Sequence, residues 1–127
     1  MDDATRAKLL KLALLISGIA FFFICPLGLI WPEGWIWHGG EGKYYLHMIL
    51  SIYAVLGVFL IFAARDPEAH RSLIFFTIWS SVAHAGTMAI QALIDHDERG
   101  HLGGDVLALA LVAAVLWILA PRKAAAT

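Results

Sequence analysis

The chain has 127 residues, 61% of them hydrophobic against 15% charged, with a formal net charge of -1 and a mean hydropathy of +0.77. So large an apolar share excludes an ordinary water-facing globule, and a near-neutral charge without a basic stripe excludes nucleic acid as a partner. A lone cysteine, Cys25, excludes a disulfide framework and a thiolate metal cluster.

The first apolar run, Leu12 to Trp31, follows Arg6, Lys8 and Lys11. It is about 20 residues long, what an α-helix needs to cross the bilayer core. No small-x-small cleavage site closes it, so it reads as a retained transmembrane helix and not as a signal peptide. The second run is Tyr45 to Ala64. Arg65-Asp66-Pro67-Glu68 then punctuates the chain: Asp66 suits a helix N-cap, Pro67 the first helical position and Glu68 the positive end of the dipole. The third helix is therefore expected over 67–94, apolar from Leu73 to Ile94, in a tight antiparallel hairpin with the second. The fourth run is Leu102 to Ala120, where Asp105 after Gly103-Gly104 reads as either an N-cap or a ligand. The fold class is all-α: a polytopic membrane protein, one four-transmembrane-helix bundle over 1–127, with spans at about 12–31, 45–64, 67–94 and 102–120.

Orientation follows from the connecting segments. Arg6, Lys8, Lys11, Arg65, Arg71, Arg122 and Lys123 fall on one side, and only Lys43 and Arg99 on the other. The positive-inside bias places both termini and the Arg65 to Arg71 loop in the cytoplasm. Trp31, Trp35, Trp37, Tyr44 and Tyr45 mark the outer interface around the first outer loop, Pro32 to Tyr44. The second outer loop is Asp95 to Gly104. Four of the six histidines, His38, His47, His96 and His101, gather at the outer side with Glu33, Glu41, Asp95, Asp97, Glu98 and Asp105.

Span three carries a polar stripe: Thr77, Ser80, His84, Met88, Gln91 and Asp95 share one helical face. Span two has Tyr44, His47 and Ser51. In a tight hairpin turning between Ala64 and Pro67, His47 and His84 lie at one depth, as do Ser51 and Ser80. Intramembrane ionisable groups are costly and mark function by default. One reading is a metal site for Zn, Cu or Fe, with His47 and His84 joined by His101 and Asp105 from the entry to span four. Two histidines alone do not make a structural zinc site; a bis-histidine haem is a narrower version. The other readings are interhelical hydrogen bonding by His47, Ser51, Ser80, His84 and Gln91, or a proton or substrate path. No spacing matches a hydrolytic motif or a phosphate-cradling loop.

Ala64-Arg65-Asp66-Pro67, His70, Trp79-Ser80-Ser81, His84, Gln91-Ala92, Gly100-His101-Leu102 and Asp105 together resemble a family of small bacterial four-helix membrane proteins of unknown function. The resemblance runs from about Met48 to Pro121 and implies a bacterial inner-membrane setting, without a substrate, cofactor or catalytic residue. The expectation is a non-enzymatic binding or accessory membrane protein with a His-containing polar site in the outer half of the bundle. Its expected partners are the lipid bilayer and either further copies of the chain or a larger membrane complex. A metal- or haem-dependent membrane oxidoreductase is the first alternative. A small oligomeric transporter is the second, weakened because the inner half of the bundle below Thr77 offers no ionisable residue.

Overall fold

A computed structural model describes residues 1–31 and 43–121; Glu33, Trp35, Trp37, His38, Glu41, Arg122 and Lys123 lie outside the described residues. Among the described residues the regular structure is five α-helices and one 3-10 turn: α1 (Asp3–Ile30), α2 (Lys43–Ala63), α3 (Arg71–Ile94), the 3-10 turn His96–Arg99, α4 (Gly100–Gly103) and α5 (Asp105–Leu119). Four stretches of the described residues are long and apolar enough to cross a membrane: Asp3–Ile30, Tyr44–Ala63, Arg71–Ile94 and His96–Leu119, the last made of the 3-10 turn, α4 and α5. Helices are what such runs must form, because hydrocarbon leaves every backbone N-H and C=O to be satisfied within the segment. The outward faces stay apolar: Ile16, Phe23, Val55, Phe76 and Ile118 are all more than half exposed. An all-round apolar helix surface suits lipid and would be a liability in water.

The helices pack as two antiparallel pairs, α1 with α2 and α3 with α5. Glycine decides the first pair. A Cβ at Gly18 would stand 2.7 Å from the Gly57 carbonyl oxygen, and one at Gly57 would stand 2.5 Å from that of Gly18. The two backbones therefore meet directly, as small residues permit at membrane helix crossings. Further along, Gly28 receives the side chain of Leu50. Aromatic rings set the second pair, with Trp117 of α5 edge-on to both Phe75 (6.1 Å) and Trp79 (5.9 Å) of α3.

The pairs join at one end. Leu14, Leu60, Ile74 and Leu116, one from each long helix, are less than 2% exposed and form the centre of the core with Leu10, Ala63 and Leu119. Two arginines seal that end. Helix α5 leaves its last carbonyls without intrahelical partners, and the Arg6 guanidinium donates to those of Ile118 (2.9 Å), Leu119 (3.3 Å) and Ala120 (2.8 Å). Arg71 donates to the Pro121 carbonyl. Arg6 is thus a C-cap supplied from the far end of the chain, and it ties α1 to α5.

The connection between α2 and α3 differs from the tight hairpin expected. Asp66 does accept a backbone bond, from Ala69 N-H at 3.3 Å, but this closes a separate turn. His70, at φ -108° and ψ 25°, divides that turn from α3, which begins at Arg71 and not at Pro67. Residues 64–70 are turn and irregular structure, with Pro67 buried in it. The longer connection lets α3 pair with α5, and α2 and α3 touch only slightly.

Candidate functional site

At the end of the bundle away from Arg6 the two pairs separate around a cavity of about 640 Å³. One side is apolar: Ala20, Phe21 and Ile24 of α1, with Leu46, Ile49 and Leu50 of α2. The other carries the polar groups: His84, Met88 and Gln91 of α3, His101 of α4 and Asp105 of α5. Tyr45 and Tyr53 of α2 complete the lining, and Ala108, Leu109 and Val112 continue α5 towards the core. Helical spacing explains the grouping on α3. Met88 and Gln91 follow His84 by four and seven residues, so the three stack on one face over two turns.

Tyr53 is the partner that His84 finds. Its hydroxyl stands 2.7 Å from His84 Nδ1, a short hydrogen bond. Phe21 packs edge-on against the phenol ring at 4.8 Å between centroids, fixing it from α1. A phenol in the apolar part of a span must place its O-H on an acceptor, and an imidazole can accept at one nitrogen while donating at the other. When Tyr53 donates to Nδ1, Nε2-H remains as a donor.

Asp105 opens α5 but does not cap it: the helix has Gly104 at the N-cap position and no side-chain cap bond. Its carboxylate is instead 2.7 Å from His101 Nδ1, while His101 Nε2 is 3.0 Å from Glu98. Glu98, His101 and Asp105 follow one another at offsets of three and four, so the 3-10 turn and α4 bring them to one side of the chain. Carboxylate oxygens only accept, so this bridge is complete when both ring nitrogens of His101 carry hydrogen.

The other sequence-derived site residues lie elsewhere. His47 is half-buried and outside the cavity lining. The residue of α2 that bonds His84 is Tyr53, six positions after His47 in the chain. Ser51 donates to the carbonyl of Met48 (2.7 Å) and Ser80 to that of Thr77 (3.2 Å), each within its own helix. These hydroxyls do not bridge helices as expected. Asp95 accepts from Asp97 N-H at 3.0 Å and caps the 3-10 turn. Among the described residues no three His, Cys, Asp or Glu side chains stand together as a metal ion would require.

One member of the site, Tyr53, escaped the sequence reading, and Glu98 entered it only as one of the outer carboxylates. Tyr53 carried a signal: it is the one tyrosine of span two away from the end, and a hydroxyl at that depth demands a partner. Glu98 is marked only by its offset of three from His101. No curated protein and no solved structure matches the chain. Residues 4–126 match DUF6632, a family of unknown function, and the chain belongs to that family.

Proposed function

We propose that this protein is a non-enzymatic binding protein of a bacterial inner membrane that holds a small amphiphilic molecule between its two helix pairs. The observation that carries the reading is the two-sided cavity: apolar walls from α1 and α2 face hydrogen-bonding groups at Tyr53, His84, Gln91, His101 and Asp105. Its volume of about 640 Å³ falls in the range of roughly 300–1,000 Å³ usual for small-molecule sites, which combine mostly apolar walls with a few directed polar groups. Both termini and the 64–70 connection belong to the cytoplasmic side in this reading. The basic residues Arg6, Lys11 and Arg65 gather around one end of the bundle, as the positive-inside bias requires of the inner face. The cavity then lies in the outer half.

Extraction of the full chain from native membranes in lipid-retaining polymer discs, followed by mass spectrometry of the small molecules carried along, tests the proposal. A compound enriched with the wild type and absent from Ala108→Phe, which fills the cavity, is the expected result. Identical small-molecule content in the two preparations refutes it.

A further inference from the structure

The Tyr53–His84 pair narrows the ligand further, on the premise that the cavity binds an amphiphile. Both residues border the cavity, and the bond between them joins the Tyr53 hydroxyl to Nδ1 of His84 at 2.7 Å. Among the described residues no other protein hydrogen bond reaches either side chain. The bond has two possible directions. If Nδ1-H donated to the phenol oxygen, two groups would go unmet, the phenol hydrogen and the lone pair of Nε2. If the phenol donates, Nδ1 accepts, a neutral ring carries its hydrogen on Nε2, and only that N-H is left over. An unmet polar group in the apolar part of a span is costly, so the second direction is the better one.

His84 thus offers the cavity one uncharged donor, and with Nδ1 taken its ring has no acceptor left. The next donor on this face of α3, the Gln91 amide, stands seven residues further along, about 10 Å along the helix at 1.5 Å per residue. One head-group atom therefore does not engage both. Met88 lies between them, and Phe21, Leu50 and Leu109 add apolar lining. A head that only accepts completes this arrangement. A hydroxyl or an ammonium brings hydrogens that the ring does not receive, and an anion needs a positive charge that a neutral imidazole lacks. We infer that the cavity takes an amphiphile whose head presents an uncharged carbonyl, of the ketone or quinone class, to Nε2-H of His84. Tyr53 is a positioning residue in this assignment, because its hydroxyl holds the ring hydrogen on Nε2.

Proteoliposomes of the full-length chain, titrated with a long-chain methyl ketone isotope-labelled at its carbonyl carbon, test the assignment by solid-state nuclear magnetic resonance. The carbonyl signal that disappears in Ala108→Phe and in Ile24→Trp, which fill the site from α5 and α1, reports cavity occupancy. In the wild type that signal is expected downfield of the ketone free in the bilayer, as a hydrogen-bonded carbonyl is. His84→Phe, which keeps a ring and removes the donor, is expected to weaken cavity binding about fivefold, what one hydrogen bond is worth, and to return the remaining bound signal to the free position. His84→Gln, whose amide restores an N-H, is expected to recover the displacement. With histidine nitrogens labelled in the wild type, the signals lost in His84→Gln are expected to show hydrogen on Nε2 and none on Nδ1, with Nε2 moving when the ketone binds; this holds the test open even where His84→Phe does not fold. Hydrogen on Nδ1, an undisplaced cavity signal in the wild type, or unchanged displacement and affinity in His84→Phe overturns the assignment and leaves the cavity reading standing. Ketone binding that neither block removes, or none at all, overturns it too, while the cavity reading stands or falls separately with the small molecules carried by wild-type and Ala108→Phe discs.

Discussion

Replacing Gly57 by alanine adds one methyl group at the tightest point of the molecule. The added Cβ would lie 2.5 Å from the Gly18 carbonyl oxygen and 2.6 Å from the Phe22 nitrogen. Against the 3.4 Å at which ordinary contact begins, these are short by 0.9 and 0.8 Å. Both obstructing atoms belong to backbone, so no rotamer change relieves them, and α1 must move away from α2 by roughly 1 Å. In a bilayer the loss is direct, because packing contacts and not water exclusion hold the helices together. Overpacking typically costs about 1–3 kcal/mol, and a double backbone collision places Gly57→Ala near 3 kcal/mol. The displacement also withdraws Phe21, next to the obstructed Phe22, from the phenol ring it fixes at 4.8 Å, so cavity binding should weaken with stability. Reversible unfolding in mixed dodecyl maltoside and dodecyl sulfate micelles, followed by tryptophan fluorescence, gives the free energy. Gly86→Ala is the control: its new methyl meets nothing within 4 Å, and its stability should stay within about 0.5 kcal/mol of wild type. If Gly57→Ala unfolds together with Gly86→Ala, the direct backbone crossing of α1 and α2 is refuted.

Tyr53→Phe removes the hydroxyl at 2.7 Å from His84 and should cost about 1 kcal/mol; a double-mutant cycle with His84→Phe should show most of that as coupling, and an additive cycle would deny the bond. Arg6→Ala leaves three carbonyls at the end of α5 without their donor and should destabilise the fold by about 2 kcal/mol, as charge-assisted bonds do. Arg6→Lys should recover only part of this, since an ammonium does not fork across adjacent acceptors; full recovery in the same unfolding assay would mean that charge alone matters. Single cysteines placed in a Cys25→Ser background should react with an impermeant thiol reagent from outside at Gly103 and from the cytoplasm at Glu68. The reverse pattern would invert the orientation.

The sequence by itself determined the helical class and the four long apolar stretches. A run of apolar side chains about 20 residues long is a local property, and hydrocarbon leaves its backbone no alternative to a helix. It also placed His84, Met88 and Gln91 on one face, because the period of 3.6 residues holds wherever the helix lies. What it did not decide was the rotation and pairing of those helices. Asp66 and Pro67 read as a helix start, yet α3 begins at Arg71, and the residue of α2 that bonds His84 is Tyr53. Asp105 read as either a cap or a ligand, but its carboxylate turns to His101, a choice between two nearby donors that local spacing leaves open. Arg6 read as a topology signal, and only the docking of α5 beside α1 brought the carbonyls of residues 118 to 120 within its reach. The cavity belongs to the tertiary level alone, because it exists where two helix pairs joined by a core at one end stand apart at the other.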